Sequence, residues 1–388
     1  MSEPETLQQE SRTTARTGPV VFFDFARGVS AQAVVLGHAL NIFLPAIFMP
    51  PGGHVFYIQS FAVIIFFVLS GFLITSAVLK KKDREDFTFG SYLIDRVARV
   101  IYPLIPALGL ILAGDLLMFG RSTRLPFDYV DLEPQTVVAA FTMLFNHPVL
   151  LELAPAAGLP WLSAGPLGTG APLWSVVAEW WIYVAFGVLA FIAVKKLKAG
   201  VGTGILLAFS IAVPLGYMAK GGYESLAWVI GMLYALAAHR MSSLPKAFHT
   251  MMLLVGLGGL LAGLWYTKMN LHSAATVIPS AVAFCHLYFL GTDPGSRTRV
   301  SREGRFQRVY RSGSLFLSSY SYSLYLLHFS VVTYLWVLLH GRIPTAGLIL
   351  VSVLLSNAVA YVFHLLVERH FHRVGKFLKR RLLRSNQY

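Results

Sequence analysis

Arg27 and His38 stand eleven residues apart in an apolar run from Pro19 to Leu44. On a helix, at about 100° and 1.5 Å per residue, they share one face within roughly 20° and lie about 16 Å apart along the axis. A guanidinium at one depth can hold an anion; an imidazole at another can take a proton. Asp24, one turn before Arg27, can pair with it. The plainer alternative is an Asp–Arg pair plus a hydrogen-bonded structural histidine. Ionisable groups inside a membrane span are functional by default, which favours the chemical reading.

Four other stretches carry similar information. In "FFVLSGFLIT" (Phe66–Thr75), Ser70-Gly71 interrupts bulky residues and permits close helix packing. Ser70 lacks the Gly-x-Ser-x-Gly setting of a nucleophile elbow and is not read as a nucleophile. In "DRVARVIYPLIP" (Asp95–Pro106), Arg96 and Arg99 are one turn apart on the same face, where two guanidinium forks could grip phosphate groups. Topology-setting charge is the alternative for that pair. In "LWSVVAEWWIYVAF" (Leu173–Phe186), Glu179 is expected about 10 Å below the outer surface. An interfacial aromatic belt accounts for Trp174, Trp180 and Trp181 but not for that carboxylate. In "SYSLYLLHF" (Ser321–Phe329), His328 is expected at a depth similar to His38 and Glu179. His286, His364 and Asn357 are read as helix–helix hydrogen-bonding residues.

The elements that must position these groups follow from composition. The chain has 388 residues, 56% hydrophobic and 13% charged, with a mean hydropathy of +0.63. Those values exclude an ordinary soluble domain and point to an all-α polytopic membrane protein. Ten apolar runs are long enough to span, near 19–44, 55–79, 97–119, 172–194, 202–219, 223–239, 249–267, 273–290, 313–339 and 343–366. An eleventh, 135–147, is short and ends at His147-Pro148. With the N-terminus inside and ten spans, 26 of the 32 Lys and Arg fall on inner segments and 5 on outer loops. Counting 135–147 as a full span would put the later basic loops outside. It is therefore read as re-entrant or interfacial, with both termini cytoplasmic. The same bias explains the net charge of +14 without a nucleic-acid partner. The one cysteine, Cys285, gives no disulfide framework. Residues 1–18 read as a disordered tail, 19–371 as the transmembrane domain and 372–388 as a basic cytoplasmic tail. No cleavable signal peptide is seen.

Taken together, these stretches resemble the membrane acyltransferase 3 family, bacterial O-acyltransferases of surface polysaccharides and related acceptors. The resemblance rests on Asp24-Phe25-Ala26-Arg27-Gly28 followed by ten residues from Arg27 to histidine, "FFVLSGFLI", Arg96-x-x-Arg99 with Tyr102-Pro103, "WSVVAEWWIY" and "SYSLYLLH". Phe25-Ala26 and Glu179-Trp180 depart from the family's usual residues without removing a titratable group. The resemblance implies a ten-helix core in the bacterial cytoplasmic membrane, acyl-CoA as donor with acetyl as the expected group, and transfer to a hydroxyl on the extracytoplasmic side.

On that reading, Arg27, Arg96, Arg99, Ser70 and Tyr102 are expected to bind the donor. His38 is expected as general base in direct transfer, with a covalent acyl-histidine as the alternative. Glu179 would orient the imidazole or meet a sugar hydroxyl, and Asp24 would support Arg27. Trp174, Ser175, Tyr325 and His328 are expected on the acceptor side, which would hold a carbohydrate or glycolipid beside membrane lipid. No metal is required. The rival readings are an MBOAT-type acyltransferase and a transporter or flippase of a lipid-linked sugar. Paired repeats with broken helices, which transporters often show, are not found.

Overall fold

The computed structural model describes residues 18–48, 57–159, 164–291 and 304–383. Of the expected tail 1–18, residues 1–17 lie outside that set and Gly18 begins the first helix; the basic residues 297–303 and the last five residues also lie outside it. The described residues form helices and one hairpin of two-residue strands, Thr123–Arg124 paired antiparallel with Tyr129–Val130. The longer helices are α1 (Gly18–Phe43), α2 (Ile58–Lys81), α3 (Phe89–Phe119), α4 (Trp174–Ala193), α5 (Val201–Ala219), α6 (Glu224–Leu236), α7 (Lys246–Tyr266), α8 (Ala274–Gly291), α9 (Arg305–Ser319), α10 (Ser321–Leu339), α11 (Thr345–Leu366) and α12 (Phe371–Leu383).

Eight helices among the described residues are long and apolar enough to cross a membrane. Helix α1, 26 residues and so about 39 Å long, and the shorter apolar α6 occupy the other two runs read from the sequence. Helical backbone satisfies its own hydrogen bonds, which is why apolar runs in lipid take this form. Large apolar side chains such as Leu254, Leu261 and Leu354 face outward, as a lipid-facing surface requires.

The run 135–147 does not span. A helix at Pro134–Phe141 ends in a turn where Met143 and Asn146 adopt positive φ, and the chain resumes as a helix at Pro148–Ala156. Trp181 Nε1 donates to the Met143 carbonyl at 2.8 Å, and His147 Nε2 bonds the carbonyl of Phe209, halfway along α5, at 3.2 Å. The segment thus turns back against α4 and α5 instead of continuing as a spanning helix.

The basic segments gather at one end. Lys196 Nζ donates to the Arg84 carbonyl at 2.5 Å, Lys379 pairs with Asp95 at 2.7 Å and Arg99 with Glu368 at 3.2 Å. Residues set apart from 372 onward as a tail form α12, which docks on the start of α3. Helix α9 extends the ninth run inward, and a turn at Tyr320 separates it from α10. Both run alongside α1, since Gly28 faces Leu317 and His38 faces His328.

Close helix crossings fix the bundle. A Cβ on Gly71 would strike the Trp228 carbonyl, and one on Gly231 would strike the Val68 carbonyl. The Ser70-Gly71 notch and Gly231 therefore let α2 and α6 pack backbone to backbone. Asn357 of α11 exchanges hydrogen bonds with Gln32 of α1 at 2.7 and 2.9 Å. His286 bonds Tyr234 and His249 on neighbouring helices, whereas His364 reaches Glu368 just beyond its own helix.

Candidate active site

Two groups of cavities open along α1. The inner chamber, ≈ 180 Å³, is lined by Arg27, Ser70, Arg96, Arg99, Ser175, Glu179, Tyr183 and Tyr325, together with apolar residues of α2. Seven of the twelve residues singled out in the sequence meet there. On the outer side, two cavities of ≈ 180 and ≈ 250 Å³ share His38, Tyr57, Gln59, Pro172 and Trp174. Val63 and Tyr325 line both the inner chamber and the smaller outer cavity. The Tyr325 hydroxyl donates to the Pro172 carbonyl at 2.8 Å and lies 2.6 Å from Ser175 Oγ. Tyr325, anchored at both contacts, thus stands with Val63 where the two chambers adjoin.

Three guanidinium groups reach the inner chamber, each held differently. Arg27 pairs with Asp24 at 3.7 Å. Arg99 pairs with Glu368 and lies over the Phe371 ring at 4.6 Å. Glu368 is fully buried and also accepts from Ser323 Oγ at 2.6 Å and backbone N at 3.2 Å. Arg96 lies over the rings of Tyr92 and Tyr183, and its buried Nε has no hydrogen-bond partner among the described residues. The two arginines do not simply sit one α-turn apart. Thr88 and Ser91 cap the start of α3 reciprocally, and a π-helical turn, Val97–Ile101, follows Arg96. Such turns widen the helix locally and are frequent at functional sites. Both side chains line the chamber; Tyr102, just past the turn, does not.

Glu179 falls in the inner chamber, away from His38. Its carboxylate accepts from Tyr183 Oη in a very short contact, and Tyr183 Oη lies 2.7 Å from Ser70 Oγ, to which Trp228 Nε1 donates at 3.1 Å. The Ser175–Tyr325 contact sets a common level. Glu179 lies one turn inward of it and His328 one turn outward, so they differ in depth by about 10 Å. The expected shared depth fails because the fourth crossing begins earlier than its apolar run. A 3₁₀ segment, Gly168–Leu173, already lies inside the bundle. Thr169 donates to the buried Asp115 through N at 2.8 Å and Oγ1 at 2.9 Å, and its hydroxyl lies 2.6 Å from Ser330 Oγ. Gly168 has φ +47, and a Cβ there would overlap the Asp115 carboxylate. The Gly-Thr-Gly composition conceals this segment from a hydropathy reading.

His38 and His328 do meet. Their ring centroids are 5.1 Å apart, and Phe329 packs edge-on to His38 at 5.0 Å. His328 Nδ1 lies 2.9 Å from the Tyr325 carbonyl and 3.1 Å from that of Leu324. Carbonyls only accept, so Nδ1 carries the hydrogen and Nε2 of the neutral ring keeps its lone pair. That Nε2 is buried without a hydrogen-bond partner among the described residues. Half-buried His38 lines both outer cavities.

A family model described as an acyltransferase domain matches residues 20–365. The chain belongs to the acyltransferase 3 family. No curated protein and no solved structure matches it. Family membership makes this multi-pass membrane protein an acyltransferase, with an acyl donor and an acceptor, and sets aside the transporter and MBOAT readings. Sequence reading overlooked Tyr183, which ties Glu179 to Ser70, and Asp128, which lines the larger outer cavity beside His38. Asp128 lies in the outer loop, where burial raises its carboxyl to about 6. Its one sequence signal is an acid beside the short Pro-Phe-Asp-Tyr turn.

Proposed function

We propose that this acyltransferase moves an acyl group, acetyl by expectation, from cytoplasmic acyl-CoA to a hydroxyl of an extracytoplasmic carbohydrate or glycolipid in the bacterial inner membrane. The observation that carries the reading is an arginine-lined inner chamber beside a histidine-lined outer cavity, with Val63 and Tyr325 lining both. The nucleotide phosphates rest at the inner mouth on Arg96 and Arg99, with Arg27 deeper. Arg96 is best suited, since its guanidinium retains an unused donor while Arg99 is already paired to Glu368. A planar fork binds phosphate at two points, which a lysine cannot reproduce.

The pantetheine arm is thin enough to pass Tyr325 and present the thioester outside it. There His38 takes the proton of the acceptor hydroxyl as general base. His328, with its lone pair on Nε2, is suited to accept the other N–H of His38 and hold the ring. Trp174 offers a flat face to a sugar, and Asp128 a carboxylate to its hydroxyls. Glu179 then belongs to the donor side, where it organises Tyr183 and Ser70.

The test is release of free thiol from acetyl-CoA by the purified protein given an acceptor glycan, followed by mass spectrometry of the glycan. Thiol release that depends on acceptor, with an acetylated product, is expected. Acetyl-CoA left intact while other acyl-CoA donors react would refute the acetyl assignment; no reaction with any acyl-CoA would refute the donor.

A further inference from the structure

The smaller outer cavity holds a second constellation, not used above. Ser60 Oγ lies 3.1 Å from His272 Nε2, and His272 Nδ1 contacts the Glu224 carboxylate in a very short hydrogen bond. Hydroxyl, imidazole and carboxylate are thus linked in series through the two different ring nitrogens. An ion pair alone would not need the hydroxyl. Ser60 and His272 line the same cavity as His38.

Each member is fixed. Glu224 is 2% exposed at the start of α6, and Ser60 is 4% exposed in the first turn of α2. That turn is the positive end of a 24-residue helix, which favours negative charge developing on the serine oxygen. His272 is held by its backbone on both sides: its N donates to Asn270 Oδ1 at 2.9 Å, and its carbonyl accepts from Tyr223 N at 2.9 Å. A buried carboxylate in a membrane protein is costly and needs a reason. Orienting an imidazole toward a nucleophile is one, and such triads are recognised by geometry rather than by fold.

We infer that Ser60, His272 and Glu224 form a nucleophilic triad that carries the acyl group as a serine ester between donor and acceptor. The inference rests on the acyl-transfer reading. His272 Nε2 takes the Ser60 proton as Oγ adds to the acyl carbonyl carbon. The tetrahedral adduct breaks its bond to the donor sulfur, and the thiolate leaves with the proton from His272. The acceptor hydroxyl then attacks the ester; His38 takes its proton and passes it to the departing Ser60 oxygen. Ser60 and the two histidines are catalytic residues, and Glu224 is a positioning residue.

The experiment uses the full chain in detergent with a fluorophosphonate probe and, separately, with acetyl-CoA lacking acceptor. Peptide mass spectrometry should find the probe, and one acetyl group, on Ser60. Ser60→Ala should lose the adduct and at least about 10²-fold in turnover, and His272→Ala should prevent labelling. His38→Ala should still load Ser60 but accumulate the acyl-serine, because the second half-reaction is impaired. Glu224→Gln should slow labelling at unchanged KM, with Glu224→Asp restoring part of it. Absence of any Ser60 adduct in wild type, or unchanged turnover in Ser60→Ala, overturns the triad. Labelling of Ser60 without reaction from any acyl-CoA supports the nucleophile and counts against the donor assignment instead.

Discussion

The inner and outer chambers share α1, α2, α4 and α10, but α3 lines only the inner one and loops close the outer one, and their chemistry is opposite. The inner one concentrates fixed charge, with three arginines, and two of them are already neutralised by Asp24 and Glu368. The outer cavities are lined by groups that can exchange protons, His38, His272 and Asp128, with buried His328 packed against His38. Fixed charge suits an anion that arrives and departs unchanged. Exchangeable protons suit bonds being made and broken. At the boundary stand Val63 and Tyr325, the latter held by Pro172 and Ser175.

That contrast can be broken most directly at His38. His38→Ala is expected to lower turnover by about 10²–10⁴-fold, up to roughly 5 kcal/mol of barrier, while acetyl-CoA affinity stays constant. Thiol-release kinetics beside calorimetry measure both; a parallel loss of affinity would merge the two chambers into one site.

Next in size is a division within the arginines. Arg99→Ala strands the buried Glu368 and is expected to cost about 3 kcal/mol of stability, the low end for a broken buried pair because Ser323 and His364 still hold that carboxylate. Arg96→Ala is expected to leave stability nearly unchanged and weaken acetyl-CoA binding by about 1.5–3 kcal/mol, with lysine rescuing part. Thermal unfolding and calorimetry on both variants decide. Equal effects on both readouts would return the pair to topology-setting charge.

The smallest effect belongs to Asp128. Burial raises its carboxyl to about 6, so the folded state holds the proton more tightly than the unfolded chain. Its stability contribution is therefore present at low pH and lost as pH rises through about 6. Asp128→Asn should flatten that slope in the thermal midpoint. It should also weaken acceptor binding above pH 6 by about 0.5–1.5 kcal/mol, seen as a raised acceptor KM. A variant that gains stability at no cost in KM would remove Asp128 from the acceptor site.

The sequence by itself determined the membrane class, the positions of the ten apolar runs and the pairing of Asp24 with Arg27. These depend on hydropathy and helical period, which are local. It also named His38 and His328, because an ionisable residue in a long apolar run stands out against its neighbours. Only tertiary structure decided which chamber each group lines. Glu179 moved to the arginines because the Gly-Thr-Gly segment before its helix enters the bundle as a 3₁₀ turn, shifting depth by several residues. Arg96 and Arg99 differ in their partners because a π-turn follows one and Glu368, far along the chain, meets the other. Ser60, Glu224 and His272 were invisible because they lie at the edges of three different runs. Neither spacing nor composition links them, and the contact exists only where α2, α6 and the loop before α8 come together.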